Sequence, residues 1–78
     1  MKVKELFEVV DAKATCPDIT IVNNNIAPQS AKEFICKGKS NYIDEMLEEF
    51  GDSTIEPNGV VFGTDSYTCI DYIIIQVK

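Results

Sequence analysis

The stretch Ser40–Phe50, SNYIDEMLEEF, decides how the rest of this chain is interpreted. Its apolar residues recur at i, i+3, i+4 and i+7, the spacing of one helical face: Ile43, Met46, Leu47 and Phe50. Ser40 is a suitable N-cap, and Gly51 follows as a residue that commonly ends helices. The pattern predicts an amphipathic helix over Ser40–Phe50 whose apolar face packs on a core.

The polar side of this helix carries like charges at helical spacing. Asp44 lies four residues before Glu48, and Glu45 four before Glu49, so each pair repels by roughly 0.2–0.5 kcal/mol. Further acidic residues follow the helix, and the whole set, here called the acidic face, is our predicted partner-binding site: Asp44, Glu45, Glu48, Glu49, Asp52 and Glu56. This face is either a solvated surface that keeps the protein in solution or a docking surface for a basic partner.

The composition excludes several classes of function. The chain has 78 residues, a net charge of −6 and no histidine, and all its basic residues are lysine. Residues 40–77 contain eight acidic residues and no basic one. This charge repels nucleic acid, and the lack of arginine removes the bidentate group that recognises phosphate, so we expect no direct nucleic-acid binding. Without histidine, the usual general base and the commonest metal ligand are missing.

The rest of the chain predicts one further helix and several strands. Apolar spacing over 3–13 indicates a helix that ends before Pro17, and β-branched residues over Asp18–Val22 indicate a strand. A second strand is predicted over Ala31–Lys37. The turn residues of Glu56–Gly59 would join short strands at 53–56 and 60–63.

The last predicted strand, Tyr67–Val77, is apolar on both faces, which favours a central place in a sheet that a helix covers on at least one side. The predicted fold class is therefore α+β. We expect a single domain over residues 1–78, a small antiparallel β-sheet with two helices packed on it, in the order α-β-β-α-β-β.

No catalytic or cofactor motif accompanies these elements. The glycines are scattered at turns, no Ser/His/Asp or Cys/His arrangement exists, and the acidic residues lack the order of a calcium loop. We therefore expect no enzyme activity, no cofactor and no metal. Three cysteines at spacings of 20 and 33 residues fit no disulfide framework, so we expect reduced thiols, with Cys36 and Cys69 half-buried in strands. The charged N-terminal stretch is unlike a signal peptide, and no apolar run reaches the length of a membrane span, so we expect an intracellular protein without membrane contact.

Taken together, the opening MKVKELFEVV, the short strands, the acidic DEMLEEF helix and the β-rich C-terminal end resemble small proteins encoded by bacteriophages and prophages of Gram-positive bacteria. Prominent among these are inhibitors of bacterial defence systems, anti-CRISPR proteins especially, of which several are acidic DNA mimics. The resemblance rests on size, lysine usage and element order over most of the chain, so it assigns no role to any single residue. It implies a basic nuclease or nucleoprotein complex as partner, in the cytoplasm of a bacterial host.

Three hypotheses follow. The first is a non-enzymatic protein-binding module, a phage-encoded inhibitor that occupies a basic nucleic-acid-binding surface through its acidic face. The second is a structural or assembly protein of a phage or mobile element that pairs through a strand edge, with itself or a neighbour, which leaves a homo-oligomer open. The third is an enzyme whose site a partner chain completes.

Overall fold

The computed structural model describes residues 1–10, 16–23, 30–37 and 41–78 of the chain. The described elements are α1 (Val3–Val9), β1 (Asp18–Asn23), β2 (Ser30–Phe34), α2 (Tyr42–Phe50), β3 (Ile55–Thr64) and β4 (Asp71–Val77). The predicted α+β class and the order α-β-β-α-β-β are confirmed. α2 ends at Phe50 as expected, whereas its predicted cap Ser40 lies outside the described residues.

The four strands form one sheet in the order β2-β1-β4-β3. β1 pairs antiparallel with β2, and β3 pairs antiparallel with β4, but the inner pair β1–β4 is parallel. The sheet is therefore mixed, which corrects the expectation of an antiparallel sheet. A parallel pair needs a long crossover, and here the chain between β1 and β4 includes β2, α2 and β3. β4 takes the central position that its apolar sequence predicted.

The two helices cover one face of this sheet. In β4, Ile73, Ile75 and Val77 are buried, whereas the alternating residues Tyr72 and Ile74 are only half-buried. The core joins this buried face of the sheet to the apolar residues of both helices, and its fully enclosed side chains include Val3, Ile19, Ile21, Met46, Ile75 and Val77. A helix covers one side of β4, as its sequence predicted.

α1 is shorter than the predicted helix over 3–13. It begins with the N–H of Lys2 donating to Glu5 Oε1 at 2.9 Å, and it ends at Val9. Val10 is already extended, although its N–H still donates to the carbonyl oxygen of Leu6 at 3.1 Å. The remaining predicted residues, 11–13, lie outside the described part of the chain.

The turn residues of Glu56–Gly59 produce a bulge within one strand rather than a turn between two. β3 runs continuously from Ile55 to Thr64, and its register with β4 shifts between Ile55 and Val60. Asn58 has a φ of 58°, a left-handed conformation that Asn tolerates, and Pro57 has no N–H to donate. The same residues that favour a turn therefore accommodate extra residues in a strand.

β4 begins at Asp71, later than the predicted Tyr67, because the preceding residues form a turn. The Asp65 carboxylate accepts the N–H groups of Tyr67 at 2.8 Å and Thr68 at 3.1 Å. Cys69 is consequently exposed with a free thiol in this connection, and the expectation that it is half-buried in a strand is wrong. β2 likewise ends at Phe34 rather than at Lys37.

Cys16 and Cys36 form a disulfide, which corrects the expectation of reduced thiols for this pair. The antiparallel register of β1 and β2 pairs Ile19 with Phe34, so the residues before β1 lie beside those after β2. This places the two Cα atoms 5.7 Å apart, within the range that a disulfide spans. Asp18 supports the same junction, because its Oδ1 accepts the N–H of Cys36 at 3.1 Å.

Candidate protein-binding surfaces

The structure distributes the acidic face over three parts of the molecule. The four carboxylates of α2 are exposed, and Glu45 and Glu49 line a cleft between α2 and β2. Asp52, just after α2, faces α1 instead. Glu56 is half-buried in the bulge of β3, where it lines a groove beside that strand. The six predicted residues therefore do not form one continuous ridge.

Lysines from distant segments pair with two of these acidic residues. Lys32 Nζ lies 2.6 Å from Glu49 Oε2 and 5.5 Å from the centre of the Phe34 ring, which adds a cation–π contact. Lys4 Nζ lies 2.9 Å from Asp52 Oδ1, and this hydrogen bond, with the charge of Lys4, lowers the pKa of the Asp52 carboxyl from its ordinary 3.8. Within the described residues, Glu45 and Glu48 form no ion pair.

A second surface, the outer edge of β3, follows from the hydrogen-bond pattern. The N–H of Asp65 donates to the carbonyl oxygen of Ile70 at 3.0 Å, so this opposed pair is a hydrogen-bonded one. Because such pairs alternate along an antiparallel ladder, Gly63 and Val61 also direct their backbone groups toward β4. The residues between them must direct their N–H and C=O groups away from the sheet: Val60, Phe62 and Thr64. We call Val60–Thr64 the free edge.

The start of the chain covers only the first part of the same strand. Lys2 forms an antiparallel bridge with Thr54, and the N–H of Ile55 donates to the carbonyl oxygen of Met1 at 2.8 Å. The bulge with Pro57 then interrupts the edge. No described residue outside the sheet forms a backbone hydrogen bond with the outward groups of the free edge.

Apart from Pro57 and the bulge just before it, the free edge carries none of the usual protection against strand pairing. Folded proteins protect edges with lysine, proline or inward charges, yet no charged residue lies between Glu56 and Asp65. Val61 is 47% exposed and Phe62 is 58% exposed. The opposite edge strand, β2, is shorter and presents Lys32 and Glu33. The two edges of the sheet are therefore chemically different, and within the described residues β3 suits strand addition better than β2.

Tyr72 supports the free edge from the other face of the sheet. A Cβ placed on Gly63 would collide with the Tyr72 ring, so the ring covers the glycine directly. Thr64 Oγ1 donates to Asp71 Oδ1 at 2.7 Å and ties the end of β3 to β4. These contacts compensate for a glycine that would otherwise weaken the strand.

Apolar hollows lie on both sides of the free edge. A cavity of about 500 Å³ lies beside Phe62, with Val10, Pro17 and Ile73 in its lining. A groove of about 440 Å³ lies at the bulge, with Met1, Ile55, Pro57 and Val60 in its lining. An added chain therefore has apolar contacts available at each end of the edge.

Sequence reasoning offered pairing through a strand edge but did not locate that edge, although a signal was present. Gly59–Thr64 is an uncharged run of β-branched and aromatic residues, but which of its backbone groups are unpaired depends on the register with β4.

The described residues contain no group of three or more His, Cys, Asp or Glu side chains that could hold a metal ion. None of the described helices is long and apolar enough to cross a membrane.

Comparisons with protein-family models, curated proteins and solved structures found no match.

Proposed function

We propose that this protein is a non-enzymatic protein-binding module that binds by accepting an added β-strand along the free edge. One observation carries the proposal: Val60, Phe62 and Thr64 direct their backbone groups outward from an uncharged, partly apolar edge strand. In strand addition, backbone hydrogen bonds supply affinity and adjacent apolar pockets supply specificity. This is the structural or assembly role that the sequence left as the second hypothesis.

Strand addition is tested by adding a peptide strand to the protein and determining where the peptide binds. The probe is a synthetic peptide of residues 59–65 with lysines at both ends for solubility, titrated into ¹⁵N-labelled protein. We expect the amide signals of Val60, Phe62 and Thr64 to shift and those of β2 to stay in place. Shifts spread equally over both sheet edges, or none at millimolar peptide, would overturn the proposal.

Two variants at one position separate backbone pairing from side-chain contact. Phe62→Pro removes an N–H that points away from β4, so the ladder within the sheet keeps its bonds while the edge loses a donor. Phe62→Thr removes the same ring but retains the N–H and the strand preference. We expect the peptide to bind Phe62→Thr and not Phe62→Pro.

A second candidate function is the inhibitor role, in which the acidic face docks on a basic nuclease or nucleoprotein complex as a DNA mimic. The observation that favours it is the exposure of Glu45 and Glu48 without an ion pair among the described residues. The lysine contacts of Glu49 and Asp52 weaken it, because they reduce the charge that a basic partner would meet.

This candidate has its own test, a capture from bacterial lysate. The inhibitor role predicts that the wild-type protein captures a basic nucleic-acid-binding protein. Added duplex DNA should release this partner, and the variant that combines Glu45→Lys with Glu48→Lys should not capture it. Glu8→Lys with Glu33→Lys is the matched control, because it makes the same charge change at two other exposed positions. Equal capture by both variants would refute the inhibitor role.

The proposed location under either function is the cytoplasm of a bacterial host. A reducing cytoplasm would keep Cys16 and Cys36 as thiols, whereas the structure bonds them. Alkylation of the protein in intact host cells, followed by mass measurement, distinguishes the compartments. Three labelled cysteines indicate a reducing compartment, and labelling of Cys69 alone indicates an oxidising one.

A further inference from the structure

We infer that the strand added to the free edge is β3 of a second copy of this chain, in an antiparallel, two-fold symmetric pair. The inference rests on the proposed function and names its partner. It would join two four-stranded sheets into one continuous sheet. The register, the charges and the exposed side chains each point to this occupant.

The hydrogen-bonding pattern selects the register. With the two-fold axis at Phe62, that residue faces its own counterpart, and Val60 faces Thr64 of the second copy. All three outward-directed residues then meet outward-directed residues, and each opposed pair exchanges both of its N–H···O=C bonds. A shift by two residues would instead bring an outward residue against the bulge or the turn, and would lose bonds. The Phe62 rings become cross-strand neighbours in this register.

Charge selects the antiparallel orientation in a chain of net charge −6. In the register centred on Phe62, Asp65 lies opposite Gly59 of the second copy, and Glu56 lies beyond the paired residues, in the bulge. No acidic residue of the edge faces another. A parallel pair in equivalent register would bring each Asp65 and each Glu56 beside its own counterpart, which is destabilising.

In this pair, the exposed aromatic residue Tyr67 has a contact on the second copy. Tyr67 is 96% exposed in the turn after β3. The antiparallel pair places the turn that holds Tyr67 at the same end of the free edge as the bulge of the second copy, where Pro57 lines the apolar groove. Met1, which also lines that groove, is 67% exposed in a single copy. The two-fold axis repeats the contact, so Tyr67 of each copy covers the groove of the other.

Sedimentation velocity on the full chain tests the pair. We expect a concentration-dependent dimer, its loss in Phe62→Pro, and at least tenfold weaker association in Tyr67→Ala. Glu48→Lys serves as a control, since it changes the charge of α2 away from the edge and should leave the dimer intact. A monomer at millimolar concentration, or a dimer that Phe62→Pro does not weaken, would overturn the inference.

Cysteine crosslinking checks the register independently of affinity. In a Cys69→Ser background, Phe62→Cys places two thiols opposite each other at a Cα separation of about 5.5 Å, which a disulfide can span. Val61→Cys is the matched control, because Val61 faces Gly63 of the second copy and points to the other side of the sheet. Efficient crosslinking of Phe62→Cys alone is expected, and equal crosslinking or none would contradict the register.

The peptide titration separates failure of this inference from failure of the proposed function. If the 59–65 peptide binds at the free edge while the protein stays monomeric, the edge accepts a strand but not a second copy, and only the inference is wrong. If neither occurs, both are wrong.

Discussion

Reduction of the Cys16–Cys36 disulfide should cost this small protein a large part of its stability. The two cysteines are 20 residues apart, and releasing a loop of this size gives the unfolded chain about 3 kcal/mol of conformational freedom. A domain of 78 residues has a free energy of unfolding of roughly 4–12 kcal/mol in total. The bond encloses β1 and β2, so its loss removes the constraint on one entire hairpin.

Urea denaturation followed by circular dichroism, with and without a reducing agent, measures this effect. With a slope of about 1–1.5 kcal/mol per molar, we expect the midpoint to fall by roughly 2–3 M. Cys36→Ala together with Cys16→Ala should behave like the reduced protein, with a further loss because Cys36 is buried. Cys69→Ser should leave the midpoint unchanged, because that thiol is exposed and unbonded.

If reduction, confirmed by alkylation of both thiols, shifts the free energy of unfolding by less than about 0.5 kcal/mol, loop closure does not stabilise this fold as argued. The reduced unfolded chain would then retain enough structure to keep the ends of the loop together.

Three further predictions concern single side chains. Gly63→Ala should destabilise the fold by about 1 kcal/mol because its Cβ displaces the Tyr72 ring, which is half-buried and can turn aside, and a double-mutant cycle with Tyr72→Leu should recover most of that loss in urea denaturation. Hydrogen bonds from the N–H groups of Thr68 and, to a smaller extent, Tyr67 lower the pKa of the Asp65 carboxyl from its ordinary 3.8. The stabilisation that this carboxylate gives the folded protein is therefore present above the ordinary pKa, and it is lost as the pH falls through the lower pKa of the folded state. A carbon-detected NMR titration of the Asp65 carboxyl should show this, and an unshifted titration would contradict it. Met46→Ala should cost about 2–5 kcal/mol because the side chain is fully buried, and a thermal melt that barely moves would show that the core collapses around the gap.

Local periodicity was enough to predict the elements that pack through one face. The spacing of apolar residues located α2, because a helix repeats every 3.6 residues and the residues of its buried face therefore recur at that spacing in the sequence. The apolar residues on both faces of β4 predicted its central place in the sheet, because an interior strand reads as a nearly continuous apolar run. Neither pattern says which strand lies alongside, so the parallel pairing of β1 with β4 could not be predicted.

The remaining differences depend on which distant segments meet. Pro57 and Asn58 have the same local preferences in a turn and in a bulge, and only pairing with β4 decides between them. The disulfide depends on the register of β1 and β2, which cysteine spacing does not encode. The acidic face was visible as a run of charge, but Lys4 and Lys32 reach it from other parts of the chain.

The position of Thr54 has a practical consequence for anything attached to this chain. Lys2 bridges Thr54 from one side, and the N–H of Lys78 donates to its carbonyl oxygen at 2.9 Å from the other. An extension before Met1 or after Lys78, whether natural or an affinity tag, therefore starts beside the groove that Met1, Ile55 and Pro57 line. A tethered segment has a high effective concentration at such a site and would compete with any binding partner. Binding measurements on this protein consequently need a version from which every tag has been cleaved.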